Sequence, residues 1–307
     1  MADEKLTSHK PRSGPPSKLV LHDIGAILSS PTTFPSFANG FLFVATPLVH
    51  ATVHEKCMLR DDLQIKTVIT TWHPQINRYI QKDTTPKTYA IEEFAVEEVL
   101  GLWSCYLNLR CGAFAENVMK QLPPKARQKF ETDVDRHGVS KADMIRRGQD
   151  ILWNRDSIDD IFLVLVSSAP LLGRLFNEVL CKKEMYPLLI CGDRAMRDST
   201  LIIFLLLLML DLPSDAIESA YLRITETLPL LVGDSTDAIW AQHLDTAGWH
   251  QNSPRWTAEL FSRIKTRYGS ALRLFTVMGV TEVTRNKIKD VFFHRENKAL
   301  LDLIDFS

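Results

Sequence analysis

Residues 186–210 have the sequence YPLLICGDRAMRDSTLIIFLLLLML, in which an apolar segment, a polar segment and a longer apolar segment follow one another. The first, Tyr186 to Ile190, is short and apolar and predicts a buried strand. The last, Ser199 to Leu210, predicts a buried helix with Ser199 or Thr200 available as its N-cap. A strand that leads through a polar turn to a helix N-terminus commonly binds anions, because unpaired backbone N–H groups and the helix dipole converge there.

The rest of the chain supplies further strands and long helical stretches. Phe41 to Ala45 and the β-branched run Ile65 to Thr70 each predict a buried strand. Apolar residues at helical spacing predict helices over Ile91 to Leu122 and over Ser157 to Val179. Shorter helices are predicted over residues 53–62, 214–222, 257–268 and 281–293. Strands separated by helical stretches predict an α/β fold with a largely parallel sheet.

Composition and charge exclude several classes of protein. The 307 residues are 45% hydrophobic and 24% charged, which is typical of a globular protein, and the formal net charge is -1. We therefore expect no nucleic acid and no membrane as partner. The most apolar run, Leu201 to Leu210, is about half of the roughly 20 residues that span a bilayer. Residues 1–18 are polar and predict a disordered tail, and residues 19–307 predict a single domain.

The cysteines, at positions 57, 105, 111, 181 and 191, do not form a recognisable framework. Their number is odd, no C-x-x-C pair occurs and no histidine cluster accompanies them. Neither disulfides nor a metal site is therefore expected, and no cofactor is implied. Free thiols indicate a reducing compartment, so we predict a cytoplasmic protein.

Cys191 and Arg197 have the spacing C-x5-R. Cysteine phosphatases need this spacing, because the loop amides and the arginine bind the phosphate oxygens while the helix N-terminus lowers the pKa of the attacking thiol. In that interpretation Cys191 is the nucleophile, Arg197 the phosphate clamp, and Ser199 or Thr200 the hydroxyl beside the sulfur. The alternative is a buried free cysteine at a strand end, which is a common place for cysteine.

Several segments in the right order resemble the single-domain tyrosine phosphatases of fungi and bacteria. Leu21 to Gly25 resembles the family's opening N-F-R-D-[LI]-G, and Asn39 to Ala45 its P-G-x-L-[YF]-R-[SA] strand. Asp62 to Ile69 is similar to L-G-I-[RK]-T-V-I, and Leu205 to Ile217 to L-L-L-L-L-L-G-[VL]-x-x-x-x-I. Arg267 to Ser270 resembles the family's R-Y-G-S. The resemblance implies a phosphatase-like fold, with a central mostly parallel sheet flanked by helices and a helical lid-like insertion over residues 86–155.

The catalytic loop departs from the family sequence H-C-x-x-G-K-D-R-T-G. An ungapped match puts Cys191 on the family's His and Gly192 on its nucleophile. The same match puts Asp198 on the phosphate-binding Arg and Arg197 on the general-acid Asp. A shift of one residue restores Cys191 and Arg197 as the catalytic pair but leaves Met196 where the acid belongs. An apolar core retained while polar positions change indicates a scaffold whose site has been repurposed.

Three functions follow from this resemblance. The first is an enzyme repurposed for a small-molecule substrate of secondary metabolism, an organic acid, an amide or a similar metabolite, through the anion-binding loop 191–200. The second is an active cysteine phosphatase, in which Asp193 or Asp198 would stand in as the general acid. The third is a pseudophosphatase that binds phosphorylated or acidic partners without catalysis. The oligomeric state is left open. The residues predicted to line the site are Gly192, Asp193, Arg194, Arg197, Asp198, Ser199, Thr200, Asp23, Trp72 and His73.

Overall fold

The computed structural model of the chain describes residues 21–28, 40–45, 53–71, 93–99, 101–110, 112–125, 127–128, 132, 157–192, 197–225 and 255–293. Within them lies one mixed sheet of six strands, flanked by helices, which confirms the predicted α/β class. The strands run in the spatial order β1-β2-β6-β3-β5-β4. Their bounds are β1 Leu21–Asp23, β2 Leu42–Ala45, β3 Thr67–Thr70, β4 Phe94–Val99, β5 Leu102–Leu107 and β6 Leu188–Cys191.

The four inner strands of the sheet are parallel, and the two outer strands are antiparallel to their neighbours. At the centre, β6 lies between β2 and β3, and Cys191 stands beside Ala45 on one side and Thr70 on the other. Thr70 in turn stands beside Tyr106 of β5. The carboxyl ends of the four parallel strands therefore meet at one edge of the sheet, where α/β proteins bind their ligands.

Helices cover both faces of the sheet and confirm most of the predicted helical segments. A π-helical turn, Phe176–Leu180, continues α5, and a 3-10 turn, Lys183–Met185, precedes β6. The helices are α1 Ile24–Leu28, α2 Val53–Asp61, α3 Gly112–Gln121, α4 Ser157–Ser167, α5 Ala169–Leu175, α6 Arg197–Met209, α7 Ser214–Thr225, α8 Trp256–Tyr268, α9 Ala271–Val277 and α10 Glu282–Phe292.

The predicted helix over residues 91–122 is wrong in its first part. Residues 94–107 form the β4–β5 hairpin, in which Val99 pairs with Leu102 and Gly101 has a φ of 79°. Glycine reaches this left-handed conformation without a Cβ clash, so it can close a tight hairpin turn. Because β5 also pairs with β3, tertiary pairing overrides the local helical pattern. Residues 94–99 and 102–107 are thus strands and not helical, whereas residues 112–121 form α3. Residues 133–156 lie outside the described residues, and a lid over residues 86–155 stays a prediction.

Two other helices differ from their predicted bounds. The segment from Ser157 to Val179 is divided at Ser168, because Pro170 follows in the first turn of α5 and proline is tolerated only there. The helix predicted from Ser199 begins two residues earlier, at Arg197. Ser199 and Thr200 therefore lie inside α6 and do not cap it.

The side chains of β6 alternate between two apolar clusters on opposite faces of the sheet. Leu188 and Ile190 belong to the main core, together with the apolar side chains of α6. Leu189 and Cys191 belong to a smaller cluster, with Leu59 of α2 and Ile65. Helix α6 is buried along almost its whole length, because the main core encloses it. Within the described ranges, we find no helix that is both long and apolar enough to cross a membrane.

Candidate functional site

The predicted strand–loop–helix junction is present at the centre of the sheet edge. It consists of β6, Gly192 and, after residues 193–196, the first turn of α6. The Gly192 amide donates a hydrogen bond to the Ala45 carbonyl at 3.3 Å. The Cys191 carbonyl accepts hydrogen bonds from the Thr71 amide at 3.1 Å and the Thr71 hydroxyl at 3.4 Å. Gly192 and Cys191 therefore extend the sheet, and the Gly192 N–H is not directed to a ligand.

The Cys191 thiol has the environment of a packing residue. Its side chain is 1% exposed and lies in the cluster with Phe43, Leu59 and Ile65, on the face of the sheet away from the apolar side chains of α6. Burial raises the pKa of this thiol well above its ordinary range. A nucleophilic cysteine needs a lowered pKa and access to substrate, so this environment keeps the sulfur protonated and covered.

The first turn of α6 carries a carboxylate that is already paired. Asp198 is 3% exposed, and the Arg110 guanidinium donates to it from Nε at 3.3 Å and from Nη2 at 3.1 Å. Arg110 follows β5, where its own amide donates to the Asn108 side chain at 3.1 Å. The turn after β5 thus brings a positive charge to the N-terminus of α6, and Asp198 neutralises it there.

The same guanidinium holds a second carboxylate, from α4. Arg110 donates to Asp160 from Nη1 at 3.0 Å and from Nη2 at 2.8 Å, a two-point contact. Arg197 approaches the same carboxylate, with its Nη1 3.5 Å from Asp160 Oδ2. Burial alone would raise the pKa of Asp160, but Arg110 and then Arg197 outweigh it and hold the pKa below its ordinary value. We call Arg110, Asp160, Arg197 and Asp198 the charge cluster.

Aromatic rings border the charge cluster. The Arg110 guanidinium lies 5.3 Å from the centre of the Phe114 ring, within the range of a cation–π contact. Tyr221 of α7 stacks on Trp256 with ring centres 4.6 Å apart. Burial raises the pKa of Tyr221, and the nearby positive charge of Arg197 partly opposes this. Polar groups backed by rigid rings are typical of a preorganised site.

The structure brings some of the predicted site residues together and separates others. Arg197 and Asp198 meet in the charge cluster, and Ser199 and Thr200 are buried in the same turn. Asp23 lies elsewhere, beside Phe43 in the register, where it accepts hydrogen bonds from Gly40 N at 2.8 Å and Ala26 N at 3.3 Å. It is therefore the cap of α1 and of the turn before β2. Asp193, Arg194, Trp72 and His73 lie outside the described residues.

Sequence reasoning missed Arg110 and Asp160. Arg110 lies inside the helix predicted over residues 91–122. Because β5 was not predicted, Arg110 was not recognised as a residue that follows a strand. Asp160 stands beside Asp159 in the first turn of α4, where acidic residues are favoured by the helix dipole. An arginine two to three residues after a recognised parallel strand would have been the signal for this site.

Comparisons with known proteins add no family to this picture. No model of a known protein family matches the chain, and a search of curated proteins finds no match either. Among the residues that the structure describes, no three His, Cys, Asp or Glu side chains are grouped so that they could hold a metal ion. The thiols of Cys57, Cys105, Cys181 and Cys191 are all free.

Proposed function

We propose that the chain is a divergent tyrosine-phosphatase-fold protein with a repurposed site. This site acts on a small organic substrate and no longer uses a thiol as nucleophile. The observation that carries this proposal is the position of Cys191 in β6. Its sulfur is buried among apolar side chains on the face of the sheet away from the apolar side chains of α6, and its pKa is raised. A thiol in this state does not attack phosphorus.

The architecture supports the phosphatase-like part of the proposal. The central strand of a mostly parallel sheet is followed by a polar segment and then by a buried helix. The resemblance to the phosphatases requires this order of elements. Cys191 ends the strand and Gly192 continues its ladder, so the ungapped alignment is favoured over the shifted one. In that alignment glycine replaces the nucleophile, and Asp198 replaces the arginine that clamps phosphate.

The substrate would bind at the carboxyl edge of the sheet, over the junction between β6 and α6. The charge cluster would form the floor of this site, and Asp193, Arg194, Trp72 and His73 are lining residues only by prediction from the sequence. A set of charged groups held by several elements can orient a polar substrate without a covalent intermediate. We propose an organic acid, an amide or a similar metabolite as substrate, no cofactor, and a cytoplasmic location because of the free thiols.

A non-catalytic binding protein is the second candidate. The same loss of a competent thiol favours it, because a pseudophosphatase also lacks the nucleophile. The two candidates differ in their ligand, which is a metabolite for the enzyme and a phosphorylated or acidic partner for the binding protein. An active phosphatase that uses Cys191 and Arg197 is disfavoured, because Arg197 is directed to Asp160 and Cys191 to the opposite cluster.

The thiol can be tested directly. We expect the folded protein at pH 8 to react with iodoacetamide at the partly exposed Cys57 and to leave Cys191 unmodified, as measured by peptide mass spectrometry. We also expect no hydrolysis of an aryl phosphate beyond the level of Cys191→Ala. Rapid alkylation of Cys191, or hydrolysis that Cys191→Ala abolishes, would overturn the proposal.

The enzyme and the binding protein can be separated by deletion of the gene. For the enzyme, we expect the metabolite profile of the deletion strain to lose a product and accumulate a precursor. Complementation with Cys191→Ala should restore the profile, because the thiol takes no part. An unchanged metabolite profile, together with capture of phosphorylated proteins by the wild-type chain, would favour the binding protein.

A further inference from the structure

One guanidinium in the charge cluster is fully engaged by the chain itself. Arg110 makes two hydrogen bonds to Asp160 and two to Asp198, at distances from 2.8 to 3.3 Å. Both contacts are two-point, the geometry in which arginine binds carboxylate and phosphate groups in general. The two edges of the guanidinium that could grip an oxyanion are therefore used by carboxylates from α4 and α6.

The cluster is also balanced in charge. Two arginines face two aspartates, so their formal charges cancel. The side chains of Arg110 and Asp160 remain 16% and 12% exposed, so the cluster reaches the surface of the molecule. In the described part of the chain, a phosphate that approached the charge cluster would meet no net positive charge, and it would have to displace a paired carboxylate to reach Arg110.

We propose that Asp160 and Asp198 permanently occupy the oxyanion position of Arg110, so the ligand of this site carries no phosphate. This inference rests on the proposed function, since it narrows the ligand of the same site to molecules without a phosphate group. It also removes the phosphorylated partner, but not the acidic one, from the binding-protein candidate.

The contact can be tested by removing the Asp198 carboxylate and adding a small anion that could bind in its place. In Asp198→Ala, a space of about one carboxylate opens beside Arg110, and we expect inorganic phosphate or formate to bind there and raise the melting temperature. The wild-type chain should show no such shift. By isothermal titration, phosphate should bind Asp198→Ala at least about tenfold more tightly than wild type, because one negative charge next to the guanidinium has been removed.

Matched variants keep the test independent of folding. Asp159→Ala is the control, because Asp159 neighbours Asp160 in α4 but pairs with the surface residue Arg263, and it should gain no phosphate binding. Asp198→Asn preserves the shape of the side chain and should also bind phosphate more tightly than wild type if Asp198→Ala does not fold.

Two results would overturn the inference: protection of the wild-type chain by phosphate, or folded Asp198 variants that gain no phosphate binding. Phosphate binding by wild type without aryl phosphate hydrolysis would remove this inference alone. Hydrolysis that depends on Cys191 would remove the proposed function itself.

Discussion

Because Cys191 is buried in an apolar cluster, a substitution there is expected to change the stability of the protein. A serine at this position would put a hydroxyl into the apolar cluster with Leu59 and Ile65, where no partner for it is evident among the clustered side chains. We expect Cys191→Ser to lower the free energy of unfolding by about 1–3 kcal/mol, and by more than Cys191→Ala. Urea unfolding measures both variants. Equal stability of the serine variant and wild type would mean that the side chain reaches water or a polar partner.

Arg110 is the residue on which the charge cluster depends. Arg110→Ala leaves two carboxylates in a mostly buried position without their main partner, and we expect the free energy of unfolding to fall by about 3–5 kcal/mol. Arg110→Lys should restore little of this, because an ammonium group cannot make both two-point contacts. The control is Arg60→Ala, which removes an exposed pair with Asp61 and should be close to neutral.

The pH dependence of stability follows from the lowered pKa of Asp160. Because its folded pKa lies below the value of an unfolded aspartate, about 3.9, the ion pair stabilises the fold above that pH. This contribution is lost as the pH falls through the folded pKa. The stability difference between wild type and Arg110→Ala should therefore shrink as the pH falls below about 4, and it should reach its full size only above the pKa that burial raises for Asp160 in the variant. A difference that stays constant down to pH 2 would exclude this role for Asp160.

At the scale of elements, α5 approaches the turn after α9 so closely that one position accepts only glycine. A Cβ built on Gly173 would lie 1.6 Å from the Met278 carbonyl oxygen, which is backbone and cannot move aside alone. We expect Gly173→Ala to lower the free energy of unfolding by about 1–3 kcal/mol or more, because the two elements must separate. The denaturation midpoint measures it. Unchanged stability would show that these elements do not pack as described.

Gly101 provides the comparison for Gly173, because its Cβ would meet nothing within 4 Å. Only its φ of 79° opposes a side chain, so Gly101→Ala should lower the free energy of unfolding by about 1 kcal/mol.

The β4–β5 hairpin shows why this part of the chain was predicted to be a helix. Glu97 and Glu98 favour helices in isolation, and only the pairing of β5 with β3 makes the segment a sheet.

At the scale of the whole molecule, the core is organised around β6 and α6. Strand β6 has a neighbour on each side, and α6 is enclosed by the main core. We expect the amides of Leu189 and Ile190 to exchange with solvent among the slowest of the described residues, and those of the edge strand β1 to exchange faster. Hydrogen-exchange mass spectrometry measures both. Faster exchange in β6 than in β1 would contradict a core centred on this strand.

The sequence by itself determined the α/β class, the presence of β2, β3 and β6 to within two residues of their predicted ends, and the buried helix α6. Those features depend on local apolar patterns, which the chain carries in contiguous residues. Only the tertiary structure decided that residues 94–107 are a hairpin, that Cys191 is buried away from α6, and that Arg110 and Asp160 meet Asp198. These depend on strand pairing and on contacts between distant residues, such as Arg110 and Asp198, which are 88 positions apart, and a single sequence gives no period or motif for them.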